Sequence, residues 1–85
     1  LREKISHSPL SVARRSRGEA VRAVQERLSD LGFDPGGVDG IWGRKSSRAT
    51  KDFQKSFEAF LKVDGVVGLQ TWDALFGGWA TTAFI

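Results

Sequence analysis

One phrase, written twice, constrains this chain more than any other feature. Val38-Asp39-Gly40-Ile41-Trp42-Gly43 returns as Val63-Asp64-Gly65-Val66-Val67-Gly68, displaced by 25 residues. The register continues past the phrase: Ser46 answers to Thr71, Ala49 to Ala74 and Thr50 to Leu75. A fixed internal period means that one structural unit is used more than once. Asp-Gly is a turn signal, because Asp supports the turn through its side chain and Gly takes positive φ at no steric cost. The second glycine, three residues on, is placed to cap a helix start. Each copy therefore predicts a tight turn that feeds a helix, shaped by Gly40 and Gly43 in the first and by Gly65 and Gly68 in the second.

Upstream of the pair, Val21, Val24, Leu28 and Leu31 fall at helical spacing and predict a helix over 19–31. Glu19 stands in its first turn, where the helix dipole favours an anion. Gly32 is placed for a left-handed C-terminal cap, with Phe33 folding back onto the helix end. Asp34-Pro35-Gly36-Gly37 is a loop. A second helix is expected over 44–60, with Ala49, Phe53, Phe57, Phe60 and Leu61 as its apolar stripe. A short third helix is expected near 69–76, carrying Trp72, Leu75 and Phe76 and stopped by Gly77-Gly78. The expected fold class is all-α: a compact three-helix bundle with an internal pseudo-repeat of turn plus helix.

Charge divides the chain. Residues 1–17 hold five basic side chains against Glu3 alone, whereas residues 18–85 hold 8 basic and 9 acidic ones. The division expected is a basic linker or arm over 1–17, a folded domain over 18–76 and an apolar C-terminal tail over 77–85. A near-neutral folded part argues against a nucleic-acid-binding domain, whose cations belong on the folded face. The leader lacks the apolar centre of a signal peptide, and no apolar run is long enough to span a bilayer. The chain starts on Leu rather than Met, which points to a piece of something longer.

No catalytic set can be assembled from this sequence. The single His, His7, lies in the leader, there is no Cys, and no spacing suggests a metal or a cofactor. Asp39 and Asp64 read first as turn residues whose side chains accept bonds from the N–H groups just ahead. Ser46 and Thr71, at the third position of their helices, read as hydroxyls reaching back in the manner of a capping box. Gln25 and Gln54 each follow a stripe residue, so each either bonds a loop carbonyl or lines a groove. Trp72 reads as core. Trp42, in the turn, is either a plug over the core or a half-exposed platform for a sugar or peptide.

Gly18-x-x-Val21-x-x-Val24-Gln25-x-x-Leu28-x-x-Leu31-Gly32-Phe33, the two D-G-x-x-G turns, Phe53-Gln54 and Thr71-Trp72, in that order, resemble the peptidoglycan-binding-like domain family over about 18–76. The resemblance implies a three-helix, non-catalytic module that tethers a larger protein, such as a cell-wall hydrolase, to peptidoglycan through glycan or stem peptide. That use places it in the cell envelope or outside the cell. On the same grounds Asp39, Trp42, Gln54, Asp64 and Thr71 are the candidate ligand-binding residues. The sequence departs from the family at Val24 (usually Leu), at Trp42 (usually Phe or Tyr) and at Ser46 (usually Thr). Nine residues separate Gln54 from Asp64, about two more than is common in the family. That extra stretch, Phe57–Phe60, together with the tail, motivates an alternative: a scaffold that keeps the fold and binds a protein partner.

Overall fold

A computed structural model provides the structure and describes residues 2–12 and 14–77. Its helices are α1 (Arg2–His7), α2 (Glu19–Asp30), α3 (Arg44–Lys55) and α4 (Leu69–Phe76). Among the described residues there are no strands, only isolated antiparallel bridges between Leu10 and Val67 and between Arg17 and Ile41. The expected helices correspond to α2, α3 and α4. α1 is an addition, and residues 78–85 of the expected tail lie outside the described residues.

Glycine launches each of the three main helices. Gly18, Gly43 and Gly68 are the N-caps of α2, α3 and α4, at intervals of 25 residues. None supplies a side-chain cap. Their carbonyls accept the first helical N–H groups, from Arg22 at 3.1 Å, Ser47 at 3.0 Å and Trp72 at 2.9 Å. Three residues after each glycine come Val21, Ser46 and Thr71, and six after come Val24, Ala49 and Ala74; all are buried. The recurring unit thus extends to α2, and its small inner residues let three short helices converge on one core.

The end of α2 follows from local rules. Gly32 has φ 90°, its N–H donates to Ser29 O at 3.0 Å, and the Phe33 N–H donates to Leu28 O at 2.8 Å. These two bonds satisfy carbonyls the helix leaves open. They also turn Phe33 inward, where its ring meets Phe53 edge-on at 5.8 Å. From the flank, Arg27 Nε donates to Leu75 O at 2.8 Å, placing a cation on the last turn of α4.

α3 stops at Lys55, short of the expected residue 60. The Ser56 hydroxyl donates to Phe53 O and offers the backbone an alternative to the helix. Turn bonds then take over, with the Phe57 N–H on Gln54 O at 2.9 Å and the Leu61 N–H on Phe57 O at 2.8 Å. The turn lets Phe57 pack on Phe53 at 5.4 Å and buries Leu61, while Phe60 stays 72% exposed.

The leader corrects a second expectation. Residues 1–17 read as a solvated arm, yet Ile5 and Leu10 are buried core residues and α1 packs against α4. Leu10 and Val67 exchange two backbone hydrogen bonds, at 3.0 and 2.9 Å. Further along, the Gly18 N–H donates to Gly40 O at 2.8 Å and the Trp42 N–H to Ser16 O at 2.9 Å. The segment therefore runs as a strap past both Asp-Gly turns. Charge and the lack of periodicity concealed this, because an isolated bridge leaves no repeating pattern in a sequence.

Candidate functional site

Each Asp-Gly turn is gripped from inside by a buried glutamine. Gln25 Nε2 donates to Asp39 Oδ1 (3.0 Å), Ile41 O (2.9 Å) and Ser46 Oγ (3.1 Å), and Gln25 Oε1 accepts from the Gly40 N–H at 2.8 Å. Gln54 repeats the set one unit later. Its Nε2 donates to Asp64 Oδ1 (3.1 Å), Val66 O (3.0 Å) and Thr71 Oγ1 (3.1 Å). Its Oε1 accepts from the Asp64 and Gly65 N–H groups at 3.1 and 2.9 Å. In both turns the Asp carboxylate also accepts the N–H two residues on, from Ile41 at 3.0 Å and Val66 at 2.9 Å. A buried amide needs partners for both of its ends, and here the turn and the helix it launches supply them all.

These contacts place the residues singled out from the sequence. Asp64, Gln54 and Thr71 come together in one cluster; Asp39 and Trp42 belong to the first turn, about Gln25. Gln54 and Thr71 are buried rather than lining a groove, because the amide needs its polar partners inside. Ser46 and Thr71 accept from these glutamines, which replaces the capping-box role expected for them. Trp42 is 3% exposed, which makes it the plug over the core and not the half-exposed platform, the two readings the sequence left open; the strap lies over its backbone. Its Nε1 is buried with no hydrogen-bond partner. Asp39 and Asp64 remain exposed. The Ile41 N–H, then the Gln25 amide, with Arg22 adding a weaker attraction, hold the Asp39 carboxyl below its ordinary range.

The turn glycines follow from the same geometry. Gly40 and Gly65 have φ 75° and 73°, the left-handed region that L side chains avoid. A Cβ on Gly65 would also collide with Ser47 Oγ and lie 3.1 Å from Lys51 Cε.

An open groove of about 530 Å³ flanks the first turn, lined by Arg17, Gly18, Glu19, Arg22, Asp39, Gly40 and Ile41. A more apolar one of about 430 Å³ shares Arg17 and Ile41 with it and adds Val12, Arg15 and Trp42. Ile41 is 57% exposed, in a lining that holds two cations and two carboxylates. Sequence inspection missed Ile41, Arg17 and Arg22. The available signal was an apolar residue in the turn, where the chain has least reason to bury one. Among the described residues, no group of three His, Cys, Asp or Glu side chains could hold a metal ion. No helix there is long and apolar enough to cross a membrane.

Glycine-launched helices, turns locked from within and an open groove of mixed polarity define a small helical binding domain. Residues 17–75 match the family model described as "Putative peptidoglycan binding domain", and the chain belongs to that family. The crystal structure of the SleB N-terminal domain superposes with a TM-score of 0.68 at 38% identity, covering 74% of this chain and 84% of that one. A peptidoglycan-binding protein from Clostridioides difficile, solved with glutamine hydroxamate, gives a TM-score of 0.65 at 38% identity, over 71% of this chain and 36% of that one. Among curated proteins, the type VI secretion system spike protein VgrG3 of Vibrio cholerae is 36% identical over 91% of this chain. The spore cortex-lytic enzyme of Oceanobacillus iheyensis is 40% identical over 68%. The chain spans 9% and 20% of the lengths of these two proteins.

Proposed function

We propose that this domain is a non-catalytic module that holds a larger protein against bacterial cell-wall peptidoglycan, with the groove at the first turn as its contact with the glycan. The family match over residues 17–75 carries this reading. The groove supports it physically. Exposed Ile41 offers an apolar face to a sugar ring or an acetyl methyl group, while Asp39 and Arg22 offer hydrogen bonds to hydroxyl and amide groups. Of the residues singled out from the sequence, Asp39 touches the ligand. Trp42, Gln54, Asp64 and Thr71 act by fixing the shape of the turns.

Retention of the chain on purified sacculi tests the proposal. Wild type is retained above an unrelated small protein. Ile41→Ser combined with Arg22→Ala, both exposed changes, weakens retention about tenfold, the effect of losing roughly 1.4 kcal/mol of contact. No retention of wild type refutes the function, and undiminished retention of the double variant refutes the groove. A second use, as a scaffold that docks a protein, takes Phe60, 72% exposed after α3, as its contact. That reading is preferred if sacculi fail to retain the chain and Phe60→Ser abolishes co-purification with a partner.

A further inference from the structure

Four cations stand in line on the outer face of α3. Arg44, Arg48, Lys51 and Lys55 follow one another at intervals of 4, 3 and 4 residues, the spacing that keeps side chains on one helix face. All four are exposed, while Ser46, Ala49, Thr50, Phe53 and Gln54 are buried on the other side. At 1.5 Å per residue the row is about 16 Å long.

Folding does not ask for this row. The first turn of α3 holds Arg44 and Lys45 and no acidic residue, so cations sit at the end of the dipole that repels them. Arg44 with Arg48 and Lys51 with Lys55 are like-charge pairs four residues apart, and such pairs weaken a helix. Asp52, the one acid in α3, stands four residues from Arg48 and three from Lys55 and offsets only part of that repulsion. Local rules broken for no more packing than the Lys51 stem provides mark a functional surface.

Charge elsewhere sharpens the point. Residues 18–85 hold 8 basic and 9 acidic side chains, and the row takes four of those eight. The Lys51 stem lies along Gly65, so the row extends from the helix launched by the first turn to the flank of the second. A narrow line of point charges, on a domain whose strap brings its net charge to +3, fits a ligand that presents carboxylates at intervals. A nucleic-acid duplex calls for a broad basic face instead.

We propose that the Arg44–Arg48–Lys51–Lys55 row binds the stem-peptide carboxylates of peptidoglycan, as a second contact besides the groove. This rests on the wall-binding reading above. The test compares the whole 85-residue chain with its R48Q/K51Q variant. The probes are sacculi stripped of phosphate polymers, used either native or with their peptide carboxylates converted to amides. Wild type is expected to prefer native sacculi about tenfold, with the preference falling as salt rises. R48Q/K51Q, its circular dichroism unchanged, is expected to hold both kinds equally. Equal retention of wild type on native and amidated sacculi, or a variant that still prefers native sacculi, overturns the row while leaving wall binding intact. No retention of wild type on any sacculi overturns both. Tighter binding of wild type to duplex DNA than to native sacculi, lost in the variant, overturns the row in favour of nucleic acid.

Discussion

Gln54 shows how much of this domain hangs on single side chains. Its amide is buried, and its bonds reach Asp64, Gly65, Val66 and Thr71. Gln54→Ala would leave two backbone N–H groups and a carbonyl short of partners, each costing about 1–3 kcal/mol if still buried. The expected loss, on the order of 3–5 kcal/mol, is a large share of a small domain's stability. Urea unfolding measures it, and a loss below about 1 kcal/mol would contradict the cluster. Asp39 makes a prediction of a different kind. Its folded pKa lies below its ordinary value of 3.8, so its contribution is complete above 3.8 and disappears as pH falls through the folded pKa. Asp39→Asn keeps an acceptor oxygen and removes the charge. The stability gap between wild type and D39N should therefore be widest at neutral pH and close as the solution is taken well below 3.8. A gap independent of pH would mean that the charge adds nothing.

At the scale of the element, the two Asp-Gly turns look alike in sequence and differ in space. A Cβ on Gly40 meets nothing nearer than Gly18 O at 3.4 Å, whereas on Gly65 it collides with Ser47. Gly40→Ala should then carry only the left-handed backbone penalty, about 1–2 kcal/mol. Gly65→Ala should exceed it, and a second change, Ser47→Ala, should return part of the difference. Thermal unfolding of the two single variants and the double variant decides this; equal losses at Gly40 and Gly65 would refute it. The elements themselves were largely legible. α2 and α4 fall where periodicity and capping place them, because their signals are local. α3 ends early because Phe57, Phe60 and Leu61 prolong an apolar pattern that the backbone does not follow as helix. The glutamine clusters stayed hidden in their detail. Their bonds cross 14 and 10 residues, and only the placement of Gln25 and Gln54 just after buried stripe residues hinted at them.

At the scale of the molecule, the strap is what the sequence concealed, and it carries the last prediction. The family match begins at residue 17, yet Ile5 and Leu10 are buried upstream of it. Leu10 pairs with Val67, and Ser16 and Gly18 pair with the first turn, so one segment ties the two turns together. Burying an Ile or Leu side chain contributes roughly 1.5–3 kcal/mol. Deleting residues 1–9 removes Ile5 with α1 and keeps the Leu10 bridge; deleting 1–15 removes both. The first truncation should lower unfolding stability by about 2 kcal/mol and the second by about 4 kcal/mol or more, each side chain contributing in turn. Leu10→Ala in the full chain should cost about 2–4 kcal/mol, because it leaves a cavity over Val67. Far-ultraviolet circular dichroism across a urea series reports all three. If the strap is structural, all three proteins lose stability, the 1–15 deletion most, and sacculus binding falls only as far as the folded fraction does. If residues 1–15 are a solvated arm, all three proteins unfold with wild type, because nothing is lost from the core.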